Sequence, residues 1–217
     1  MIKFEKLFDS ISTAIEVSAE KGDVIKVASD SMISMTDTFD VKITSGCMNK
    51  FFSKFFAGEP IVLVDYHALS DGKLVLSQRF LGDIEFLNMD GNSNYALSKR
   101  AFLASTENIN LEVKKEGREG ITEGDGIFVV EASGKGTIAI CATGKIIKKQ
   151  LKEGESLIID QNHVVLKESN IKHSIRKFGD EKISIESGEG NIMKFFGPGL
   201  VWYQTKNPSY FINNSIN

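Results

Sequence analysis

The chain has 217 residues, of which 41% are hydrophobic and 25% charged, and its formal net charge is −3. A chain of this length buries roughly 70% of its unfolded surface, so it needs neither a metal nor a disulfide to fold. The interspersed, nearly balanced charge argues against a dedicated nucleic-acid surface, and two distant cysteines, Cys47 and Cys141, are too few for a disulfide scaffold. No apolar run reaches the ~20 residues of a membrane helix. Charges also occupy Met1-Ile2-Lys3-Phe4-Glu5-Lys6-Leu7-Phe8-Asp9, where a signal peptide needs an apolar stretch. Reduced thiols and a cytoplasmic location are the expectation.

At the N-terminus Phe4, Leu7, Phe8, Ile11 and Ile15 fall at helical spacing. Short alternating runs over 14–17, 24–27 and 32–35 favour strands there instead, and strand is our reading of this end. Residues 47–56 are the better helix candidate, with Met48, Phe51, Phe52, Phe55 and Phe56 on one face and Gly58 as a stop. Strands are predicted over 61–68, 73–78, 83–87, 101–105 and 109–113, followed by a charged loop over 114–120. The second half continues with strands over 127–131, 137–142, 145–151, 156–159, 163–167 and 171–176. Between them, Gly144-Lys145, Lys152-Glu153-Gly154-Glu155 and Asp160-Gln161-Asn162 carry turn chemistry.

One motif recurs: a Gly-acid corner, an apolar run, a Gly-x-Gly corner and a second β-prone run. It reads Gly124-Asp125-Gly126 to Gly134-Lys135-Gly136, and again Gly188-Glu189-Gly190 to Gly197-Pro198-Gly199. A looser copy runs from Gly58-Glu59 to Gly72-Lys73. Each copy reads as a hairpin that cannot bury its apolar face alone. The halves also correspond elsewhere: Phe102 to Ile109 matches Val164 to Ile171, and Gly82 matches Gly144. These matches predict an all-β chain, one compact unit over 1–217, built as an internal duplication. Its two modules are expected at about 1–115 and 116–206, with a polar tail over 207–217 and at most one or two short helices.

The closing segment Phe196-Gly197-Pro198-Gly199-Leu200-Val201-Trp202-Tyr203-Gln204-Thr205 resembles the signature of the altered-inheritance-of-mitochondria family numbered twenty-four. Ala57-Gly58-Glu59, Phe102-Leu103-Ala104 and Gly154-Glu155-Ser156-Leu157-Ile158-Ile159-Asp160 match further family features. The family's Gly-Gly-Leu and its arginine stand here as Ser45-Gly46-Cys47-Met48 and Lys54. The resemblance implies a duplicated β-sandwich or double-stranded β-helix like that of the tryptophan RNA-binding attenuation protein superfamily. It implies a tendency to assemble and brings no catalytic residues.

The residues nominate little chemistry of their own. The three histidines, His67, His163 and His173, include no His-x-His pair, and Asp65 with His67 on one strand face falls short of a four-ligand zinc set. Ser133-Gly134-Lys135-Gly136-Thr137 lacks the phosphate-loop spacing and reads as a hairpin turn. There is no Gly-x-Ser-x-Gly elbow, and Cys141 reads as a small core residue. The carboxylates Glu59, Glu123, Asp125 and Glu189 sit at corners where they stabilise turns. The Phe51, Phe52, Phe55 and Phe56 face, flanked by Lys50 and Lys54, reads as a plug for the open end of a β-module; contact with a membrane surface or partner is the sharper alternative. Trp202 and Tyr203 face opposite sides of one strand, so one is expected in the core and the other at a subunit interface.

The expectation is a non-enzymatic β-scaffold or binding module that self-associates into a ring-like homo-oligomer, with a trimer as the expected number. It includes no catalytic, cofactor-binding or metal residue, no cofactor and no DNA partner. The alternative is a small-ligand- or RNA-binding regulator of the attenuation-protein type. An enzyme with an unmarked site stands third.

Overall fold

The computed structural model describes residues 1–8, 12–43, 62–116, 127–179 and 190–212. About two-thirds of these residues are strand and most of the rest are turns and loops. The helical pieces among them are a 3-10 turn at Gln161–His163 and a short helix, α1, at Ser209–Ile212. Over Val24–Ala28 and Gly72–Ser77 buried side chains alternate with more exposed ones, so one face turns inward, whereas the apolar run Ile138–Ala142 is buried on both faces. The helical spacing at the N-terminus is overruled by pairing: β1 (Lys3–Lys6) lies antiparallel to β2 (Ala14–Ala19), with Lys3 opposite Ser18.

The strands form three units with one plan. Unit I contains β2, β3 (Val24–Ala28), β4 (Met32–Met35), β5 (Phe39–Ile43), β6 (Leu63–Ala68) and β7 (Gly72–Ser77). Unit II contains β8 (Gly82–Asp90), β9 (Tyr95–Leu97), β10 (Phe102–Thr106), β11 (Ile109–Glu116) and the two halves of β12 (Ile127–Thr143). Unit III contains β13 (Ile146–Leu151), β14 (Ser156–Asp160), β15 (Val164–Glu168), β16 (Lys172–Lys177), β17 (Asn191–Phe196) and β18 (Gly199–Gln204).

In every unit the sixth strand lies between the first and third, and the fifth between the second and fourth. The third strand carries the same register shift each time, at Met32/Ser34, Phe102/Ala104 and Val164/Leu166. Three cores follow the units and run across their borders. Ile15, Ile25, Tyr66 and Leu74 fill the first, Met89, Leu97, Ile109 and Ile138 the second, and Ile159, Ile175, Met193 and Phe195 the third.

Pairing therefore gives a threefold repeat where the sequence suggested modules at 1–115 and 116–206; that boundary falls inside unit II, before the last residue of β11. The match of Phe102–Ile109 with Val164–Ile171 holds, but it relates units II and III. Units are joined edge to edge: β3 of unit I pairs antiparallel with β10 of unit II, and β9 of unit II with β15 of unit III.

The Gly-x-Gly corners are not hairpin turns. Strands β6 and β7 belong to different sheets, as do β17 and β18, so neither couple pairs with itself. In unit II the chain runs straight through Ser133-Gly134-Lys135-Gly136-Thr137 as part of β12, whose first half pairs β11 and whose second half pairs β8. The corner is where the fifth strand leaves one sheet and becomes the sixth strand of the other. Gly72, Gly136 and Gly199 occupy the same place at its end, and the chain leaves no room there. A Cβ would overlap the Thr38 hydroxyl at Gly72 and the Thr106 hydroxyl at Gly136, and would lie 2.7 Å from Ile171 at Gly199.

The helix candidate over 47–56, with Phe51, Phe52, Phe55 and Phe56, lies outside the described residues, as do Gly58-Glu59, Gly124-Asp125-Gly126 and Gly188-Glu189. At the C-terminus the Phe211 ring of α1 packs 6.4 Å from that of Phe80. No described helix is long and apolar enough to cross a membrane.

Candidate functional site

Two clusters of ionisable side chains stand out, and both sit where units meet. The first lies between units II and III. Lys167, in the apolar run Val164-Val165-Leu166 of β15, is only 2% exposed. Its Nζ lies 2.8 Å from Glu116 Oε1, at the end of β11, and His173 Nε2 of β16 lies 3.5 Å from Glu116 Oε2. Burial alone would raise the Glu116 carboxyl; His173 and Lys167 outweigh it and hold the group below the usual glutamate range. The His173 ring also packs 5.9 Å from Phe195. The segment read as a loop over 114–120 thus begins as strand, and its Glu116 is the centre of a buried ion cluster.

The second cluster ties β1 to units II and III. Lys6 Nζ contacts Glu85 on β8 and lies 3.4 Å from Asp83 Oδ1, while Lys148 Nζ of β13 lies 2.6 Å from the other Glu85 oxygen. Lys145 Nζ is 3.6 Å from Asp83 Oδ2. Burial opposes ionisation of Glu85, yet Lys148 and Lys6 hold its carboxyl below the usual range. Burial likewise disfavours the Lys6 ammonium, and Glu85 with Asp83 raises it on balance. Lys148 also sits 4.5 Å above the Trp202 ring. Beside this cluster the Gln204 side chain accepts from Thr143 N and donates to the Asn162 carbonyl, fixing the II–III boundary.

These arrangements hold charges in opposite-sign contact and brace strands of different units. Among the described residues, no cysteine takes part in either cluster. Cys141 lies in the core, where its Sγ donates to the Arg100 carbonyl at 3.1 Å and burial pushes its thiol up to about 12. That is the core residue expected for it. Asp65 and His67 share a face of β6 opposite Lys42 and Asp40 of β5. Asp40 is held low by its 2.7 Å contact with Lys42. His163 Nδ1 lies 2.7 Å from the Gln204 carbonyl. Among the described residues, no three His, Cys, Asp or Glu side chains gather as metal ligands. Trp202 enters the unit II core, as expected for one of the pair, and half-buried Tyr203 packs against the unit III core. Cys47, Lys50, Lys54, Glu59, Glu123, Asp125 and Glu189 lie outside the described residues.

The sequence reading missed Glu116 and Lys167 and treated His173 as isolated. One signal was available: a lysine completing Val164-Val165-Leu166 is out of place in a strand buried on both faces.

Fold and clusters together define an all-β repeat protein whose buried charges join its units. Residues 6–206 match the family described as Mitochondrial biogenesis AIM24. The chain belongs to that family. It is 28% identical over 207 residues to the uncharacterized protein M6_Spy0233 of Streptococcus pyogenes serotype M6, covering 91% of this chain and 83% of the relative. A crystal structure of protein SPYM3_0169 from Streptococcus pyogenes is similar with a TM-score of 0.80 and 25% identity, covering 99% of this chain and 98% of that one.

Proposed function

We propose that the protein is a non-enzymatic, self-associating β-scaffold of the cytoplasm. The observation that carries this reading is the use of its buried charge. Glu116, Lys167 and His173 bridge units II and III, and Lys6, Asp83, Glu85 and Lys148 bridge β1 with units II and III. Charge spent on holding units together supports a structural role more than a chemical one. The raised thiol of Cys141 supports packing over nucleophilic attack, since the thiolate is the reactive form. Its unbridged state accords with a reducing compartment.

Association is supported by apolar strand residues left in solvent, among them Met32, Ile33, Val41 and Ile43. A second copy of the chain would cover them, with a trimer as the expected number. Size-exclusion chromatography with light scattering tests this: particles heavier than one chain at micromolar concentration support the scaffold, and monomer alone removes it.

A further inference from the structure

The chain joins successive units twice, and in the same way. At the first joint Val27, Lys26 and Ile25 face Ala104, Ser105 and Thr106; at the second Leu97, Ala96 and Tyr95 face Leu166, Lys167 and Glu168. In both, the second strand of one unit adds antiparallel to the third strand of the next, beside the shared register shift. The end units keep one unused partner each. Among the described residues β4, the third strand of unit I, pairs only with β7, and β14, the second strand of unit III, only with β17.

The shared pairing identifies the matching positions. The register shift aligns Ser34, Met35 and Thr36 with Ala104, Ser105 and Thr106. On the other side Ile159 faces Met193 as Leu97 faces Val130, and both partners precede matching glycines, Gly197 and Gly134, by the same interval. Ile159, Ile158 and Leu157 therefore match Leu97, Ala96 and Tyr95. Exposure follows use of the joint. Ser105 is 0% and Lys167 2% exposed, whereas Met35 in the same place is 40% exposed; Ala96 is 3% exposed and Ile158 48%.

Sequence separates these two edges from the rest. The other edge strands carry at least two charged residues each: KFEK in β1, FDVKI in β5, GDIEFLNMD in β8, INLEVKKE in β11, IIKKQL in β13 and KHSIRK in β16. Charge on an edge discourages strand addition. Strand β4 reads MISM with no charge, and β14 reads SLIID, whose one acid, Asp160, accepts from Asn162 N in the 3-10 turn.

We propose that β14 of one chain adds antiparallel to β4 of a second copy, with Ile159, Ile158 and Leu157 facing Ser34, Met35 and Thr36. The joint between chains then continues the two joints within the chain. It is a heterologous contact, which gives a ring where the rotation closes and a filament where it does not. The inference rests on the self-association reading and supplies its geometry.

The test uses full-length chains carrying Cys47→Ser. One preparation adds Met35→Cys and another Ile158→Cys; the two are mixed under mild oxidation, and products are resolved without reductant. Facing residues of an antiparallel pair lie about 4.5–5.5 Å apart at Cα, within disulfide reach. A mixed disulfide between the two preparations is expected, far exceeding that between Ile33→Cys and Ile158→Cys, together with loss of the oligomer peak in Met35→Lys at unchanged circular dichroism. Absence of the mixed disulfide overturns the joint. A disulfide formed only when both cysteines share one chain also overturns it, because the edges then close internally. Oligomers that persist without the mixed disulfide leave the scaffold reading standing and remove only this geometry; monomer at every concentration removes both.

Discussion

Replacing Lys167 by methionine keeps most of the side chain's volume and removes its charge from a site that is 2% exposed. Among the described residues, Glu116 then keeps His173 as its one ion-pair partner. Breaking a buried pair by removing one partner costs about 3–5 kcal/mol, because the other charge stays buried and uncompensated. The Glu116 side chain is 20% exposed, so water recovers part of its solvation. A cost of about 2–3 kcal/mol is expected, which for a chain of this size lowers Tm by roughly 4–12 °C.

The double variant Glu116→Leu, Lys167→Met removes both charges and should be recovered to within about 1 kcal/mol of the parent, since apolar replacement of a whole buried pair is near neutral or stabilising. Urea unfolding of parent, single and double variants, followed by circular dichroism, gives the coupling directly. A Lys167→Met chain as stable as the parent would refute the reasoning, as would a double variant no better than the single.

Acid should weaken the fold through both clusters. The carboxyls of Glu116 and Glu85 lie below their ordinary value when folded, so the unfolded chain binds more protons as pH falls into the glutamate range. Their contribution is complete above that range and lost beneath it; Glu116→Gln should flatten the fall in unfolding free energy between neutral and acidic pH, and an unchanged slope would contradict this. Gly136→Ala should cost about 1–3 kcal/mol in urea unfolding, because a methyl group collides with Thr106 at a sheet-to-sheet corner. Gly154→Ala, with positive φ but open space around it, should cost less. In a Cys47→Ser chain, Cys141 should resist a thiol reagent at neutral pH until urea unfolds the protein, since its thiol is held near 12. Rapid native-state labelling would place it outside the core.

The strands were legible because their cause is local: short apolar runs, period-two burial and glycines between them. The threefold plan was harder to read. In unit I the third and fourth strands, Met32–Met35 and Phe39–Ile43, share little with Phe102–Thr106 or Val164–Glu168, and residues 44–61 separate them from β6. What matches is a register shift, which belongs to pairing and is invisible in one strand alone. Gly134-Lys135-Gly136 shows the same limit, because a hairpin and a sheet-crossing corner require the same glycine chemistry. The partners of the flanking strands decide between them, and those partners are distant in sequence. Glu116 and Lys167 meet only because β9 adds to β15, so no spacing along the chain could join them.

Sedimentation velocity of the full chain, from low to high micromolar concentration, tests the scaffold most directly. The mass is expected to rise above one chain with concentration and to fall back to one chain in Met35→Lys. A single species of one-chain mass throughout would contradict this.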